Sequence, residues 1–160
     1  MLELAINYED KLNKEYQIAV KKDENLYFEG GQWGYYKIKI DDSDYYKIQC
    51  VSVDSDSNVL GYFSASIDRN SNIITGIEVI KFKDSVLASL DLFRFLKQIS
   101  EMPVRKIEWW VVRGNLAEKL YDKIIQKYKG NKIGVYKESV KLRDGNYYDK
   151  VFYEINLNCE

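Results

Sequence analysis

The chain has no histidine, one proline and two cysteines among its 160 residues. The absence of histidine excludes the Ser-His and Cys-His pairs of nucleophilic catalysis and removes the commonest metal ligand in proteins. Proton transfer must therefore use a carboxylate, a tyrosine, a lysine or water. Cys50 and Cys159 are too few and too far apart in sequence for a disulfide framework or a zinc site. We expect two reduced thiols in structural or incidental positions and no metal ion.

The chain also lacks an excess of either charge and a long apolar run. Its 24 basic and 25 acidic residues nearly cancel, which argues against nucleic acid as a partner. No segment has the roughly 20 consecutive apolar residues that span a membrane. Residues 1–4 lack the basic start of a signal peptide. We expect a cytoplasmic protein that makes no contact with a membrane.

What is present is enough apolar material for one folded domain. Hydrophobic residues make up 46% of the chain. They occur along its whole length, without a proline-rich linker, an internal repeat or a low-complexity tract. The sequence predicts a single domain over residues 1–160.

The first half predicts one amphipathic helix followed by antiparallel strands. Apolar residues at a spacing of three and four mark a helix over residues 8–21. Aromatic and β-branched residues predict strands at Tyr45 to Val53, Val59 to Ile67 and Ile73 to Phe82. Tyr35 to Ile40 has a similar composition. Polar turns separate the three strands between Tyr45 and Phe82, so we expect these strands to form an antiparallel meander.

A helix and a buried strand follow the meander. The side chain of Asp84 or Ser85 can accept a hydrogen bond from the first free amides of this helix, which ends before Pro103. Arg105 to Arg113 has apolar residues on both faces, as expected of a strand inside a sheet. A right-handed crossover makes this strand parallel to the last strand of the meander. The spacing predicts that one face of the helix lines the core: Val86, Leu90, Phe93, Leu96 and Ile99.

A second helix and a hairpin complete the chain. Asn115, followed three residues later by Glu118, indicates a capping box, and Gly130 is expected to end the helix in a left-handed conformation. Ile133 to Leu142 and Tyr148 to Ile155 are predicted strands that flank a turn with an Asp-Gly pair. The predicted core face of the helix is Leu116, Leu120, Ile124 and Tyr128.

These elements give an α+β (α/β) fold class with a mixed sheet. An N-terminal helix precedes the antiparallel meander, two helices flank a parallel strand pair, and a β-hairpin closes the chain. The sequence from Val59 to Ile155 resembles the GNAT superfamily of N-acetyltransferases. The resemblance lies in the strand that ends at Asn115 and in the helix sequence Ala117-Glu-Lys-Leu-Tyr121. The closing hairpin, with Asp144-Gly145 and Tyr148-Asp149, is similar to that of the branch that includes ribosomal-protein N-terminal acetyltransferases.

The resemblance implies direct transfer of an acetyl group from acetyl-CoA, as cosubstrate, to an amine. In this family two parallel strands splay apart, and the pantetheine arm bonds to the backbone of the first strand, here at Ile80 and Phe82. Asn115 is expected to hydrogen-bond this arm, to cap its helix, or both. The pyrophosphate sits on amides at a helix N-terminus. The resemblance therefore assigns four residues around this helix start to the cofactor site: Lys83, Ser85, Ala88 and Ser89.

The phosphate-binding loop departs from the family pattern of Arg or Gln, two residues, Gly, one residue, and Gly or Ala. This chain reads Lys83-Asp-Ser-Val-Leu-Ala-Ser89, without glycine. Small residues allow phosphate to approach the backbone closely, whereas Lys81 and Lys83 can compensate only as point charges. The alternative function is therefore a GNAT-like domain that has lost catalysis and serves as a binding or structural module.

Tyr121 and Glu78 are the catalytic residues that the resemblance implies. Tyr121 falls on the family position whose hydroxyl protonates the departing CoA thiolate, although a tyrosine in an amphipathic helix can also be purely structural. Glu78 precedes the splayed region, where relatives place a carboxylate that takes a proton from the acceptor amine. Glu108 on the neighbouring strand is the alternative base.

The acceptor is expected to be an amine on a small molecule, or the N-terminus or a lysine of a protein. Trp33, Tyr35 and Tyr36 could wall the acceptor pocket, because the N-terminal third shapes acceptor recognition in the family, or they could belong to the core or to a partner surface. The sequence leaves open whether the chain forms a homodimer.

Overall fold

The computed structural model describes residues 1–28, 37–40 and 46–157. Over these residues the helices are α1 (Glu9–Ala19), α2 (Val86–Ser100) and α3 (Ala117–Lys127), with 3-10 helices at Ala5–Tyr8 and Asp23–Phe28. The strands are β1 (Leu2–Leu4), β2 (Lys47–Val53), β3 (Val59–Asp68), β4 (Ile73–Lys81), β5 (Lys106–Val112), β6 (Asn131–Lys141) and β7 (Tyr147–Asn156). They form one mixed sheet in the order β1-β2-β3-β4-β5-β7-β6.

The connections follow the predicted order. Strands β2, β3 and β4 form the antiparallel meander, and β4 pairs with β5 in parallel. The β6–β7 hairpin joins the sheet through β7, which is antiparallel to β5. The short strand β1 was not predicted; it pairs with β2 from Leu2↔Ser52 to Leu4↔Cys50. Of the segment Tyr35 to Ile40, the structure describes residues 37–40, and these form no strand.

The two faces of the sheet carry different helices. Helix α1 covers one face of the N-terminal half, where Leu12 and Tyr16 are fully buried beside Tyr62 and Ile80. We call this side the α1 face. The predicted amphipathic helix is confirmed. Helices α2 and α3 cover the opposite side, which we call the helix face; its core includes Phe63, Phe95, Trp109 and Tyr153.

The predicted core face of α2 is mostly wrong. Val86, Leu90 and Phe93 are 78%, 50% and 68% exposed. The buried positions are Ala88, Asp91 and Phe95, together with Ile99, which was predicted. Asp91 is tolerated there because its carboxylate accepts hydrogen bonds from the Ser52 hydroxyl at 2.7 Å and from the Arg94 guanidinium at 2.8 Å. Because a charged residue lies on the buried face, the spacing of apolar residues predicted the wrong face. Leu96 and Ile99 do contact the core as predicted.

The predicted face of α3 is also displaced. Leu116, Leu120 and Tyr128 are exposed, whereas Tyr121 and Ile124 contact the core, together with Ala117 and Ile125. The helix start is close to prediction. The Asn115 side chain accepts from the Ala117 N–H at 2.9 Å, and the Glu118 carboxylate accepts from the Gly114 N–H at 3.3 Å. These bonds satisfy two amides at the helix start.

The end of α3 differs from prediction in its left-handed residue. Lys129, with φ of 52°, takes the conformation expected of Gly130. Gly130 is needed for a different reason, because a side chain there would collide with the Glu154 carbonyl oxygen of β7. The glycine thus permits close approach of the chain to the sheet.

Cys50 is a buried free cysteine on the helix face. Burial raises the pKa of its thiol to about 11, so it is an unreactive thiol at neutral pH. Among the described helices, none is long and apolar enough to cross a bilayer.

Candidate functional site

A gap opens between the two parallel strands. Both β4 and β5 lie within the described residues, and they are paired only at Ile73↔Lys106 and Ile74↔Ile107. Beyond these pairs β4 remains paired with β3 alone, and β5 remains paired with β7 alone. Residues 77–81 therefore diverge from residues 108–112.

A β-bulge in β4 accounts for the divergence. The β3–β4 register shifts between Ser64 and Ser66, so that Gly76 and Ile77 together oppose Ala65. Gly76 has φ of 58°, a left-handed conformation that favours glycine. The extra residue bends β4 and increases its twist, which turns it away from β5.

The backbone of β4 presents two sets of groups. The Phe82 N–H donates to the Leu60 carbonyl oxygen at 2.9 Å, so Phe82 bonds toward β3. In an antiparallel ladder alternate residues point the same way, and Ile80 therefore also bonds toward β3. The N–H and carbonyl groups of the intervening residues, Val79 and Lys81, point into the gap.

Glu78 lies at the gap on the α1 face. The bulge reverses the side-chain alternation, so Glu78 shares a face with Ile80, while Ile77 and Val79 contact the helix-face core. Its carboxylate accepts a hydrogen bond from the Ser64 hydroxyl at 2.9 Å and lies 3.9 Å from Lys47 Nζ. Counting from the last β4–β5 pair and allowing for the extra residue, Glu78 is level with Trp110 across the gap.

Tyr121 lies on the opposite side, at the helix face. Its ring meets Trp109 edge-on, with ring centroids 5.8 Å apart, and Tyr153 at 5.9 Å. Its hydroxyl makes no hydrogen bond to any residue that the structure describes. Burial raises the pKa of Tyr121, so this hydroxyl stays protonated at neutral pH. It can donate a proton but is a poor base.

The start of α2 follows directly after β4. Ser85 is the N-cap, and its hydroxyl accepts from the Ala88 N–H at 3.4 Å. Ser89 donates to the Ser85 carbonyl oxygen, and Lys81 Nζ lies 3.2 Å from the Ser89 hydroxyl. Lys83 is exposed beside them. Lys81 and Lys83 bring positive charge to the start of this helix, whereas Asp84, next to Lys83, brings negative charge. The Ser85 hydroxyl already accepts from one of the free amides.

The two remaining candidates have other contacts. Asn115 uses its side-chain oxygen to cap α3, as described above. The Glu108 carboxylate forms an ion pair with Lys106, whose ammonium also lies 3.4 Å from Glu154. Glu108 is adjacent to the last paired residue of β5, whereas Glu78 lies well within the diverging part of β4. Of the two carboxylates, Glu78 lies further into the gap.

Sequence reasoning missed several residues around the gap. Lys150 on β7 is buried, and its ammonium lies 4.2 Å from the Trp110 ring centroid on the α1 face. Burial lowers the pKa of Lys150. Trp109 borders the gap on the helix face. Neighbouring residues of a strand point to opposite faces of the sheet. The sequence of β5 could therefore have indicated that Trp109 and Trp110 lie on opposite faces of the sheet beside the gap.

The proposed aromatic wall, Trp33, Tyr35 and Tyr36, lies outside the described residues. The preceding 3-10 helix places Tyr27 near the end of β5, where a Cβ at Gly114 would lie 2.7 Å from the Tyr27 hydroxyl. Gly114 has φ of 92° and cannot readily be another residue. This segment of the N-terminal third therefore reaches the end of the gap.

Two solved structures match nearly the whole chain. An N-acetyltransferase from Staphylococcus aureus is similar over 99% of this chain and 98% of its own, with a TM-score of 0.70 and 16% identity. A probable acetyltransferase from Staphylococcus epidermidis is similar over 99% of this chain and 100% of its own, with a TM-score of 0.71 and 10% identity. The chain has the GNAT fold.

The GNAT fold is also seen in a spermidine/spermine N-acetyltransferase from Vibrio cholerae. That structure has 19% identity and a TM-score of 0.59, with 72% of this chain and 68% of its own covered. No protein-family model matches the sequence, and no curated protein matches it either. The predicted fold class is confirmed, and the resemblance to the ribosomal-protein branch stays a prediction.

Proposed function

We propose that the chain is an N-acetyltransferase that transfers an acetyl group from acetyl-CoA to an amine by direct attack. The observation that carries this proposal is the gap between β4 and β5, with the backbone of Val79 and Lys81 directed into it. An extended ligand can bond to such backbone groups as an added strand would. The N-acetyltransferases that share the fold support the same class of activity.

The residues present fit acetyl-CoA at the gap. We assign the contacts with the pantetheine arm to the backbone of Val79 and Lys81 rather than to Ile80 and Phe82, whose groups bond toward β3. Asn115 caps α3 and is retained only as a neighbour of the arm.

The fit at the pyrophosphate depends on charge rather than on glycine. Lys81 and Lys83 offer ammonium groups, and Ser85 and Ser89 offer hydroxyls at the start of α2. Ala88, fully buried, keeps the first turn of the helix small. When bound, acetyl-CoA supplies the activated acyl group as a thioester.

Glu78 and Tyr121 lie on opposite sides of the sheet, where Glu78 can act as the base and Tyr121 as the acid. Glu78, on the α1 face, accepts a proton from the attacking amine at its carboxylate. Tyr121, on the helix face, donates its hydroxyl proton to the departing thiolate sulfur. Because burial keeps Tyr121 protonated, it is ready for this role at neutral pH.

The acceptor in this proposal is an amine-bearing small molecule, with protein N-termini and lysines as the alternative. A spermidine/spermine N-acetyltransferase is among the proteins of the same fold. The acceptor enters from the α1 face, where Glu78 and Trp110 lie level across the gap. The proposal includes no metal and no membrane partner.

A second candidate is a GNAT-like binding module without catalysis. It is favoured by the glycine-free loop and by the exposed apolar positions Val86, Leu90 and Phe93 on α2. This candidate predicts that the gap takes no CoA ligand and that Tyr121→Phe leaves every measurable activity unchanged.

The experiment that separates the two candidates is thermal unfolding with and without millimolar acetyl-CoA. A ligand that binds only the folded state adds RT ln(1 + [L]/Kd) to its stability, so about 100 times Kd contributes about 2.7 kcal/mol. We expect Tm to rise, and amide NMR signals of residues 77–82 to shift. An unchanged Tm together with unshifted β4 signals would refute the acetyltransferase proposal.

A further inference from the structure

The Glu78 carboxylate, the base of the proposed reaction, is bonded from the side of β4 away from the gap. Ser64 on β3 lies directly opposite Glu78 in the β3–β4 ladder, and its hydroxyl donates to Glu78 Oε2 at 2.9 Å. Lys47 Nζ, from β2, lies 3.9 Å from the same oxygen. Strands β2 and β3 lie on the other side of β4 from β5. The carboxylate is therefore anchored at Oε2, while the strand that bears it borders the gap.

The bulge at Gly76 creates the pairing of Ser64 with Glu78. Without the extra residue, the register beyond the bulge would place Ile77 opposite Ser64. An isoleucine there would offer the serine hydroxyl no acceptor. The feature that bends β4 away from β5 thus also brings a carboxylate to Ser64.

The Ser64 hydroxyl is suited to act on this one carboxylate. Ser64 is 0% exposed, so water does not readily replace its bond to Glu78. A serine hydroxyl carries one hydrogen, and donation of that hydrogen to a carboxylate favours the ionised form. Ser64 therefore stabilises the form of Glu78 that can accept a proton, and it fixes the direction of the carboxylate.

The groups around this bond stay the same when Ser64 is changed. Gln49 on β2 lies opposite Ser64 and donates to the Tyr62 hydroxyl at 2.8 Å and to the Lys39 carbonyl oxygen at 2.9 Å. Burial, and then the charge on Glu78, raise the pKa of Tyr62, so this neighbour stays neutral. A change in the titration of the base would therefore report the Ser64 bond. The described titratable groups that the packed elements bring to this side are Lys47 on β2, Tyr62 on β3, Tyr8 and Tyr16 before β2, and, across the gap, Lys106, Glu108, Lys150 and Glu154.

We propose that Ser64 is a positioning residue that holds Glu78 ionised and directed for proton transfer from the acceptor amine. This inference rests on the proposed acetyltransferase function. The proton of the attacking amine passes to the Glu78 carboxylate, and Ser64 keeps its own proton. Ser64 touches neither substrate and acts only through Glu78.

The test is the pH profile of kcat in wild type and Ser64→Ala between pH 5 and 8, because kcat reports ionisation in the enzyme–substrate complex. Acetyl-CoA is the donor, and spermidine and a lysine-containing peptide are the acceptor probes. Without the Ser64 donor, we expect the acid limb of the profile to lie about one pH unit higher, since a hydrogen bond to a charged group contributes a free energy of this size. The deficit in kcat should be smallest at pH 8. An equal deficit at every pH, which loss of packing would produce, would overturn the proposal.

A double-variant cycle checks that Ser64 acts through Glu78. Ser64→Ala should lower kcat on the acid limb in the wild-type background and leave kcat of Glu78→Gln unchanged, because no carboxylate remains to be positioned. Equal losses in the two backgrounds would contradict the proposal. Ser66→Ala is the matched control, since Ser66 lies two residues along β3 on the same face, and it should retain the wild-type profile.

A second substitution covers the case that Ser64→Ala does not fold. Ser64→Cys keeps a side chain of similar size but offers only a weak donor, so its acid limb should also move to higher pH. If wild type is active and the acid limb stays in place in the folded variants, the role of Ser64 fails and the acetyltransferase proposal survives. If wild type acetylates neither amine, both proposals fail together.

Discussion

The Tyr153 hydroxyl donates a hydrogen bond to Asp122 Oδ1 at 3.0 Å and so joins β7 to helix α3 at the residue after Tyr121. Lys132 Nζ lies 3.0 Å from the same oxygen. The hydrogen bond from Lys132 and then that from Tyr153 lower the pKa of the Asp122 carboxyl. Helix α3, all of which the structure describes, has no fully buried residue. The polar link therefore matters for the placement of Tyr121.

Replacing Tyr153 by Phe should loosen this link. Loss of one hydrogen bond is expected to lower the free energy of unfolding by about 1 kcal/mol. We also expect a lower kcat, because helix α3, which carries Tyr121, loses its polar link to β7. Urea unfolding measures the first effect. Tyr147→Phe, an exposed tyrosine on the same strand, is the control; equal stability of the two variants would show that the link contributes nothing.

Tyr121→Phe should reduce kcat while the protein stays folded. General acids contribute about 10²-fold or more to rate, and the hydroxyl makes no hydrogen bond to a described residue that folding would lose. The KM for acetyl-CoA is expected to change little. Since burial raises the Tyr121 pKa, the wild-type rate should not decline through ionisation of this group between pH 7 and 9. Tyr128→Phe at the end of α3 should retain full activity.

The choice between Glu78 and Glu108 as base can be made by paired variants. Glu78→Gln should lower the rate by about 10²-fold near pH 7, where an acceptor amine arrives protonated. The deficit should shrink at higher pH, because more of the amine is already neutral. Glu108→Gln should keep most of the activity, since its carboxylate is paired with Lys106. The reverse order of the two variants across the pH profile would make Glu108 the base.

Gly76→Ala should both destabilise the protein and impair acetyl-CoA binding. A side chain at φ of 58° is strained, at a cost of about 1 kcal/mol or more, and relief of that strain would remove the bulge that opens the gap. Gly134→Ala on β6 is the control, because a Cβ there meets nothing within 4 Å. Unfolding curves and acetyl-CoA titrations of both variants provide the comparison, and unaltered affinity in Gly76→Ala would separate the bulge from ligand binding.

Stability should fall in acid through Asp91. Burial alone would raise its pKa, but hydrogen bonds from Ser52, the Met1 amino group and Arg94 together lower it below the usual value of 3.8. The folded state thus binds the proton more weakly than the unfolded chain, so this contribution is complete above about pH 5 and disappears as pH falls through the folded pKa. Denaturant unfolding from pH 7 to 2.5 should show a shallower acid decline in Asp91→Asn than in wild type.

The sequence predicted the element order well but not the helix faces. Strand composition and turns located β2 to β7 within a few residues, because strand and turn signals are local. On α2, Val86, Leu90 and Phe93 gave the stronger apolar spacing, yet they are exposed. The sheet contacts the face that contains Asp91, whose partner Ser52 is 39 residues away. Only the tertiary structure brings the two together.

For the candidate site, too, the sequence predicted one part and only the structure supplied the other. Tyr121 and Glu78 were reached through a resemblance of sequence motifs, and their roles stay predictions. The assignment of opposite faces to them depends on the bulge at Gly76, which reverses the alternation of β4. The backbone groups of Val79 and Lys81 follow from the same register. A single glycine in a strand indicates such a bulge only weakly.

By itself the sequence determined the order of helices and strands, the parallel crossover and the closing hairpin, because propensity, turns and periodicity act over short stretches of chain. It also excluded histidine chemistry. Only the tertiary structure decided where β4 leaves β5, which side chains reach each face, and that the Ser64 hydroxyl bonds to Glu78. These features arise from contacts between residues distant in sequence, and one extra residue in a strand exchanges every side chain beyond it between the two faces.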